Sequence, residues 1–206
     1  MTDVKICGLT RREDVEAACD LGAAYVGLNF SASSRRRVSP DDARRLAEAV
    51  APGVRLVGVF VDESYDEIAE AIDAASLDLA QVHRKLRPED LERIGRRVLA
   101  VAHAGVDDEV PPDDLLLRCA GILVDTAVPG EPGGTGIARE PGALERRRWP
   151  VPLFLAGGLR PDNVAQSIRR TSPAAVDVAS GVERALGIKD RERMRRFFEA
   201  VRNADA

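Results

Sequence analysis

Little in this chain of 206 residues can build a cross-linked or metal-rich protein. Its three cysteines, Cys7, Cys19 and Cys119, are spaced too widely for a zinc motif or a disulfide framework. There are only two histidines, His83 and His103. Positive charge is not in excess: 30 Lys and Arg against 34 Asp and Glu give a net charge of -4, so nucleic acid is not an expected partner. No apolar run is long enough to span a membrane, and the N-terminus lacks the apolar core of a signal peptide. No Gly-x-Gly-x-x-Gly follows the first strand-like segment, which counts against a dinucleotide-binding open sheet. These absences point to a cytoplasmic protein in a reducing compartment.

What is present is alternation. Short apolar runs with strand character fall at Val4–Cys7, Ala24–Phe30, Arg55–Val61, Leu77–His83, Val98–Ala102, Gly121–Asp125, Val151–Leu155 and Ala174–Ala179. Helical segments separate them. Thr10 to Glu13 and Ser64 to Glu67 read as capping boxes, Ser39-Pro40 and Pro88 as helix starts, and Gly22 as a helix stop. Pro161 opens a helix carrying Val164, Ala165 and Ile168, and the last helix carries Met194, Phe197, Phe198 and Val201. Cys19 falls on the apolar face of the first helix and reads as packing. Eight strand–helix units in one unbroken stretch predict an α/β fold, a single-domain (β/α)8 TIM barrel over residues 1–206. A doubly wound open sheet is the rival.

In such a barrel the working residues sit at the C-terminal ends of strands. On the first strand Val4 and Ile6 share one face and Lys5 and Cys7 the other. A cation beside a thiol favours the thiolate, so Cys7 reads either as a base or nucleophile or as a small core residue. Asp125 ends the sixth strand and reads as a loop cap or an acid–base group. Three glycine-rich loops, Gly133-Gly134-Thr135-Gly136, Ala156-Gly157-Gly158 and Ser180-Gly181, suit close approach of backbone N–H groups to an anion. A phosphate site shared by the last loops recurs in these barrels, and Gly134, Gly136, Gly157, Gly158, Ser180 and Gly181 are its candidate residues. His83 and Gln81 share a strand face and line a pocket or the core. Asp177 points into the barrel as a site residue or a buried anchor. Within Arg35-Arg36-Arg37 one guanidinium is placed to clamp a carboxylate, or the run is a solvated surface.

Taken together, the motifs resemble the phosphoribosylanthranilate isomerase family. They are Lys5-Ile6-Cys7-Gly8-Leu9-Thr10, Ser34 to Pro40, Val57 to Val61, Gln81-Val82-His83, Leu123-Val124-Asp125, the three glycine loops, Val176 to Glu183, and Gly187-Ile188-Lys189-Asp190. The resemblance implies a cofactor-free Amadori rearrangement of N-(5-phosphoribosyl)anthranilate in tryptophan biosynthesis. It implies Asp125 as general acid, Cys7 as general base, Arg36 on the anthranilate carboxylate, and the glycine loops on the 5-phosphate. Lys5, His83 and Asp177 complete the candidate substrate-binding set, with Lys5 tuning the thiol. The family contains monomers and homodimers, and a small phosphoribosyl substrate is the partner implied. The chain departs from the family pattern at Arg84-Lys85, Arg139-Glu140-Pro141, Arg37 and Asn29. An aldolase would want a Schiff-base lysine, for which Lys5 is the one inward-facing candidate. A metal-dependent epimerase would want more histidine. A diverged isomerase for another ribosyl phosphate and a non-catalytic phospho-ligand binder are the alternative readings.

Overall fold

Eight parallel strands pair in sequence order and close on themselves, β1 with β8, in the computed structural model, which describes residues 1–94, 98–103, 110–126 and 147–205. The strands are β1 (Asp3–Ile6), β2 (Tyr25–Asn29), β3 (Arg55–Phe60), β4 (Leu79–Val82), β5 (Val98–His103), β6 (Gly121–Asp125), β7 (Leu153–Ala156) and β8 (Ala175–Val178). Helices α1 (Arg12–Leu21), α2 (Pro40–Ala47), α3 (Tyr65–Ala75), α4 (Pro88–Ile94), α5 (Asp113–Leu116), α6 (Val164–Thr171) and α7 (Arg191–Ala204) connect or follow them. The stretch between β6 and β7 that would hold the remaining connection lies outside the described residues, apart from its ends. A short antiparallel ribbon, β9 (Glu183–Ala185) with β10 (Ile188–Lys189), stands between β8 and α7. This is the predicted (β/α)8 barrel.

The period of two along each strand divides the core into two layers. Val4, Ile6, Val26, Leu28, Ile122 and Val124 point outward and pack with Val15, Ile68, Val164, Met194 and Phe197 of the helices. The alternate residues Tyr25, Val57, Leu79, Leu99, Leu123 and Phe154 fill the barrel interior. Neither layer survives a one-residue slip, which would exchange the two sets.

Local chemistry explains most boundaries. The Ser39 hydroxyl accepts from Asp42 N, and Ser64 with Glu67 forms the full capping box. Two expectations are corrected. The Thr10 hydroxyl donates to the Gly187 carbonyl at 2.7 Å instead of capping α1, which starts from Arg11 without a side-chain cap. The helix expected from Pro161 starts at Val164, because Asn163 turns its amide to its own loop, accepting from Arg160 N at 2.7 Å and donating to Gly158 O at 3.0 Å.

Candidate active site

The first strand ends inside the barrel. Lys5 is fully buried, and its ammonium donates to the Asp177 carboxylate at 2.9 Å. The two are direct neighbours across the β1–β8 ladder. Cys7 lies one step nearer the C-terminal rim and is also buried. Its electrostatics correct the expectation of an activated thiolate. Burial pushes the Cys7 thiol above its ordinary value, and the Lys5 and Lys189 charges only partly oppose it while Asp177 adds to the rise. Burial pulls Lys5 in the opposite sense, but Asp177 and Cys7 together hold it above its ordinary value, so the ammonium stays charged. Lys5 and Asp177 are therefore an ion pair supporting the lumen below the thiol.

Asp125 ends β6 with Leu123 on the same interior face, and its register partners on β5 and β7 are His103 and Ala156. Strand alternation thus brings Asp125 to the rim that carries Cys7. Thr126, the next residue, donates to the carbonyls of Ala156 at 2.9 Å and Gly157 at 3.2 Å, joining this rim to the loop after β7.

His83 follows β4 on the face of Gln81. The Gln81 amide sits 2.7 Å from His83 Nε2, and the His103 ring lies 5.5 Å away, tilted. Burial, followed by the positive charges of His103 and Lys5, pulls the His83 pKa down to about 4, so the ring is neutral at pH 7. The unfolded ring takes its proton near pH ~6.5, above the folded value, so stability falls as pH drops across that window. Between pH 7 and pH 5 the His83→Gln variant is expected to lose about 2 kcal/mol less than the parent. That is a thermal midpoint drop smaller by about 5 °C, read by circular dichroism.

The loops after β7 and β8 adjoin. Gly157 and Gly158 take left-handed φ values of 100° and 62°. Gly181, in the 3-10 turn Ser180–Val182, lies so close to the preceding loop that a Cβ there would sit 1.9 Å from the Leu159 carbonyl oxygen. The loops are thus fixed side by side, as a shared anion site requires. Gly134 and Gly136, together with Arg139-Glu140-Pro141, lie outside the described residues.

The arginine run is resolved by geometry. Arg35 and Arg37 are exposed, whereas Arg36 turns inward. Its guanidinium donates through Nε and Nη2 to the two Glu183 oxygens at 2.8 and 2.7 Å. Its stem lies over Gly8: a Cβ there would come within 2.5 Å of Arg36 Cδ, and the φ of 69° already favours glycine. Lys189, fully buried at its side chain, donates to Glu183 at 3.0 Å and to the Ala179 carbonyl at 3.0 Å. Glu183 and Lys189 carry no role in the sequence reading beyond membership of a motif. Two other departures are accounted for. Asn29 Oδ1 accepts from Ser31 N at 2.9 Å and shapes the start of the Arg36 loop. Arg84 lies over the Tyr65 ring, 4.2 Å from its centre, and donates to the Glu63 carbonyl.

A parallel barrel with its ionisable residues collected at the C-terminal rim has the layout of a (β/α)8-barrel enzyme. The comparisons narrow that class. The family described as N-(5'phosphoribosyl)anthranilate (PRA) isomerase matches residues 4–200. An N-(5'-phosphoribosyl)anthranilate isomerase of Thiobacillus denitrificans is 43% identical over 206 residues, 97% of each chain. The crystal structure of phosphoribosyl anthranilate isomerase from Thermotoga maritima superposes with a TM-score of 0.83 at 35% identity, covering 98% of this chain and all (100%) of that one. A second crystal structure of such an isomerase, TM-score 0.79 and 34% identity over 98% of this chain and 100% of that one, holds reduced 1-(o-carboxyphenylamino)-1-deoxyribulose 5-phosphate. The chain belongs to the phosphoribosylanthranilate isomerase family, whose members are isomerases. Among the described residues no helix is long and apolar enough to cross a membrane.

Proposed function

We propose that this protein isomerises N-(5-phosphoribosyl)anthranilate to 1-(2-carboxyphenylamino)-1-deoxyribulose 5-phosphate, an Amadori rearrangement in tryptophan biosynthesis. The observation that carries the reading is the placement of Cys7 and Asp125 on one rim from strands β1 and β6, with an inward arginine and two adjoining glycine loops around it. The compound held by the related structure has the matching parts: a carboxylate, an aryl amine and a 5-phosphate.

In this reading Asp125 protonates the ribose ring oxygen and the C1–O bond breaks to give a protonated imine. Cys7 removes the C2 proton, leaving an enolamine. Protonation at C1 and loss of the O2 proton give the ketone, so no atom is gained or lost. Arg36 holds the anthranilate carboxylate through a charge-assisted fork, and the backbone of Gly157, Gly158, Ser180 and Gly181 holds the 5-phosphate.

Two measurements test this. Expression of the chain in a tryptophan-requiring host lacking this step restores growth without tryptophan, and the purified protein consumes phosphoribosylanthranilate. Failure of both removes the assignment. For the phosphate site, Gly181→Ala forces the Leu159 carbonyl aside. KM should rise about tenfold with kcat held within a few-fold, since misplacement of a binding group raises the barrier mainly through binding. An unchanged KM in a folded Gly181→Ala protein removes this loop from the site.

A further inference from the structure

We infer that Glu183, held by Lys189, is a positioning residue that sets which edge of Arg36 receives a substrate carboxylate. The inference rests on the reading of Arg36 as the carboxylate clamp. A guanidinium has two edges that can make a paired contact with a carboxylate, one through Nε and a terminal nitrogen, the other through both terminal nitrogens. Glu183 occupies the first, with Nε to Oε1 at 2.8 Å and Nη2 to Oε2 at 2.7 Å. Only the edge made by the two terminal nitrogens is left for a ligand. Exposure agrees with this division: the side chains are 24% exposed for Arg36, 6% for Glu183 and 0% for Lys189, so of the three the arginine keeps the surface a ligand can reach.

Charge adds a second condition. An isolated Arg–Glu pair is neutral and attracts an anion weakly. Lys189 is the second cation on Glu183, and the three together keep one net positive charge at the rim. The Lys189 ammonium is fixed in turn by the Ala179 carbonyl, at the end of β8, and its backbone N–H by the Asp14 carboxylate at 3.0 Å. Arg193 of α7 donates to the Glu183 carbonyl. Glu183 is therefore held at both its backbone and its side chain, and Gly8 fixes the stem of the arginine it orients.

The test compares two substrates, phosphoribosylanthranilate and N-(5-phosphoribosyl)aniline, which lacks the carboxylate. In Glu183→Gln the rim gains positive charge but loses the paired contact. Positioning predicts that KM for the carboxylated substrate rises about tenfold to a hundredfold, with kcat within a few-fold and the aniline substrate little affected. A charge effect alone predicts the opposite, an unchanged or lower KM for the carboxylated substrate, and that result overturns the inference. Glu183→Asp keeps the charge beside Lys189 but falls a methylene short of the arginine. It should show the same selective loss and serves if the glutamine variant does not accumulate; equal loss on both substrates overturns the inference there too. Arg36→Met separates the two levels. If it impairs both substrates alike, the clamp reading fails and this inference with it. If it impairs only the carboxylated substrate while the Glu183 variants do not, the inference alone fails.

Discussion

Replacing Cys7 with alanine is expected to lower kcat about a thousandfold with KM kept within a few-fold, because a general base acts only in the transition state. In the proposed mechanism the thiol, buried just past the end of β1, holds neither the carboxylate nor the phosphate. Its removal therefore leaves ground-state binding in place. Asp125→Asn is expected to cost a similar factor, since an amide has no proton to give the ring oxygen at neutral pH. The two losses should add to less than their product, because ring opening must precede proton abstraction and either variant already stalls the sequence. The pH profile follows from burial: a thiol held above its ordinary value is mostly protonated at pH 7, so kcat/KM should climb toward alkaline pH. Steady-state kinetics across pH with purified variants is the check. Turnover by Cys7→Ala near the parent rate would remove Cys7 as the base.

Strand alternation made the barrel readable. Val4 and Ile6 against Lys5 and Cys7 sort to the helix side and the interior as the period of two requires, and the same rule holds through Leu123 and Asp125 on β6. Ser39 and Ser64 announce their helices because each hydroxyl meets a backbone N–H within its own turn. Thr10 looks the same in sequence. Its partner is Gly187, distant along the chain, and a tertiary contact of that kind overrides a local signal without leaving a trace in the neighbouring residues.

The site was legible where a single strand or loop carries it and illegible where charges pair across the fold. Arg35, Arg36 and Arg37 are equivalent as letters; what separates them is Glu183, whose carboxylate selects the middle one. Glu183 and Lys189 sit in a short ribbon whose local pattern singles out neither charge. The one local sign is Gly187 between them, at a φ of 73°, which marks a turn bringing the two charges side by side. The Lys5–Cys7 pair misled for a related reason. Sequence shows the cation two residues from the thiol, but not Asp177 opposite it or the burial that outweighs it.

That same pair gives the largest expected effect on stability. Lys5→Met leaves the Asp177 carboxylate buried without its cation, a loss of about 3–5 kcal/mol and a thermal midpoint lower by about 10 °C. Lys5 stays charged well above neutrality, because its folded pKa is raised; its contribution is complete at pH 7 and disappears only as pH climbs past the usual lysine value near ~10.4. The effect on the thiol runs separately. Lys5 pulls the Cys7 pKa down and Asp177 pushes it up, so removing the lysine alone leaves both burial and the carboxylate to raise it further. The alkaline climb of kcat/KM should then start at higher pH, and thiolate absorbance should appear later in a titration. Adding Asp177→Asn to Lys5→Met removes the stranded charge and should restore most of the stability, since a buried pair exchanged for neutral groups costs little compared with a broken one. It should also move the thiol part of the way back. An unchanged Cys7 titration in Lys5→Met would mean that the lysine only anchors Asp177, and its place beside the thiol would have no chemical consequence.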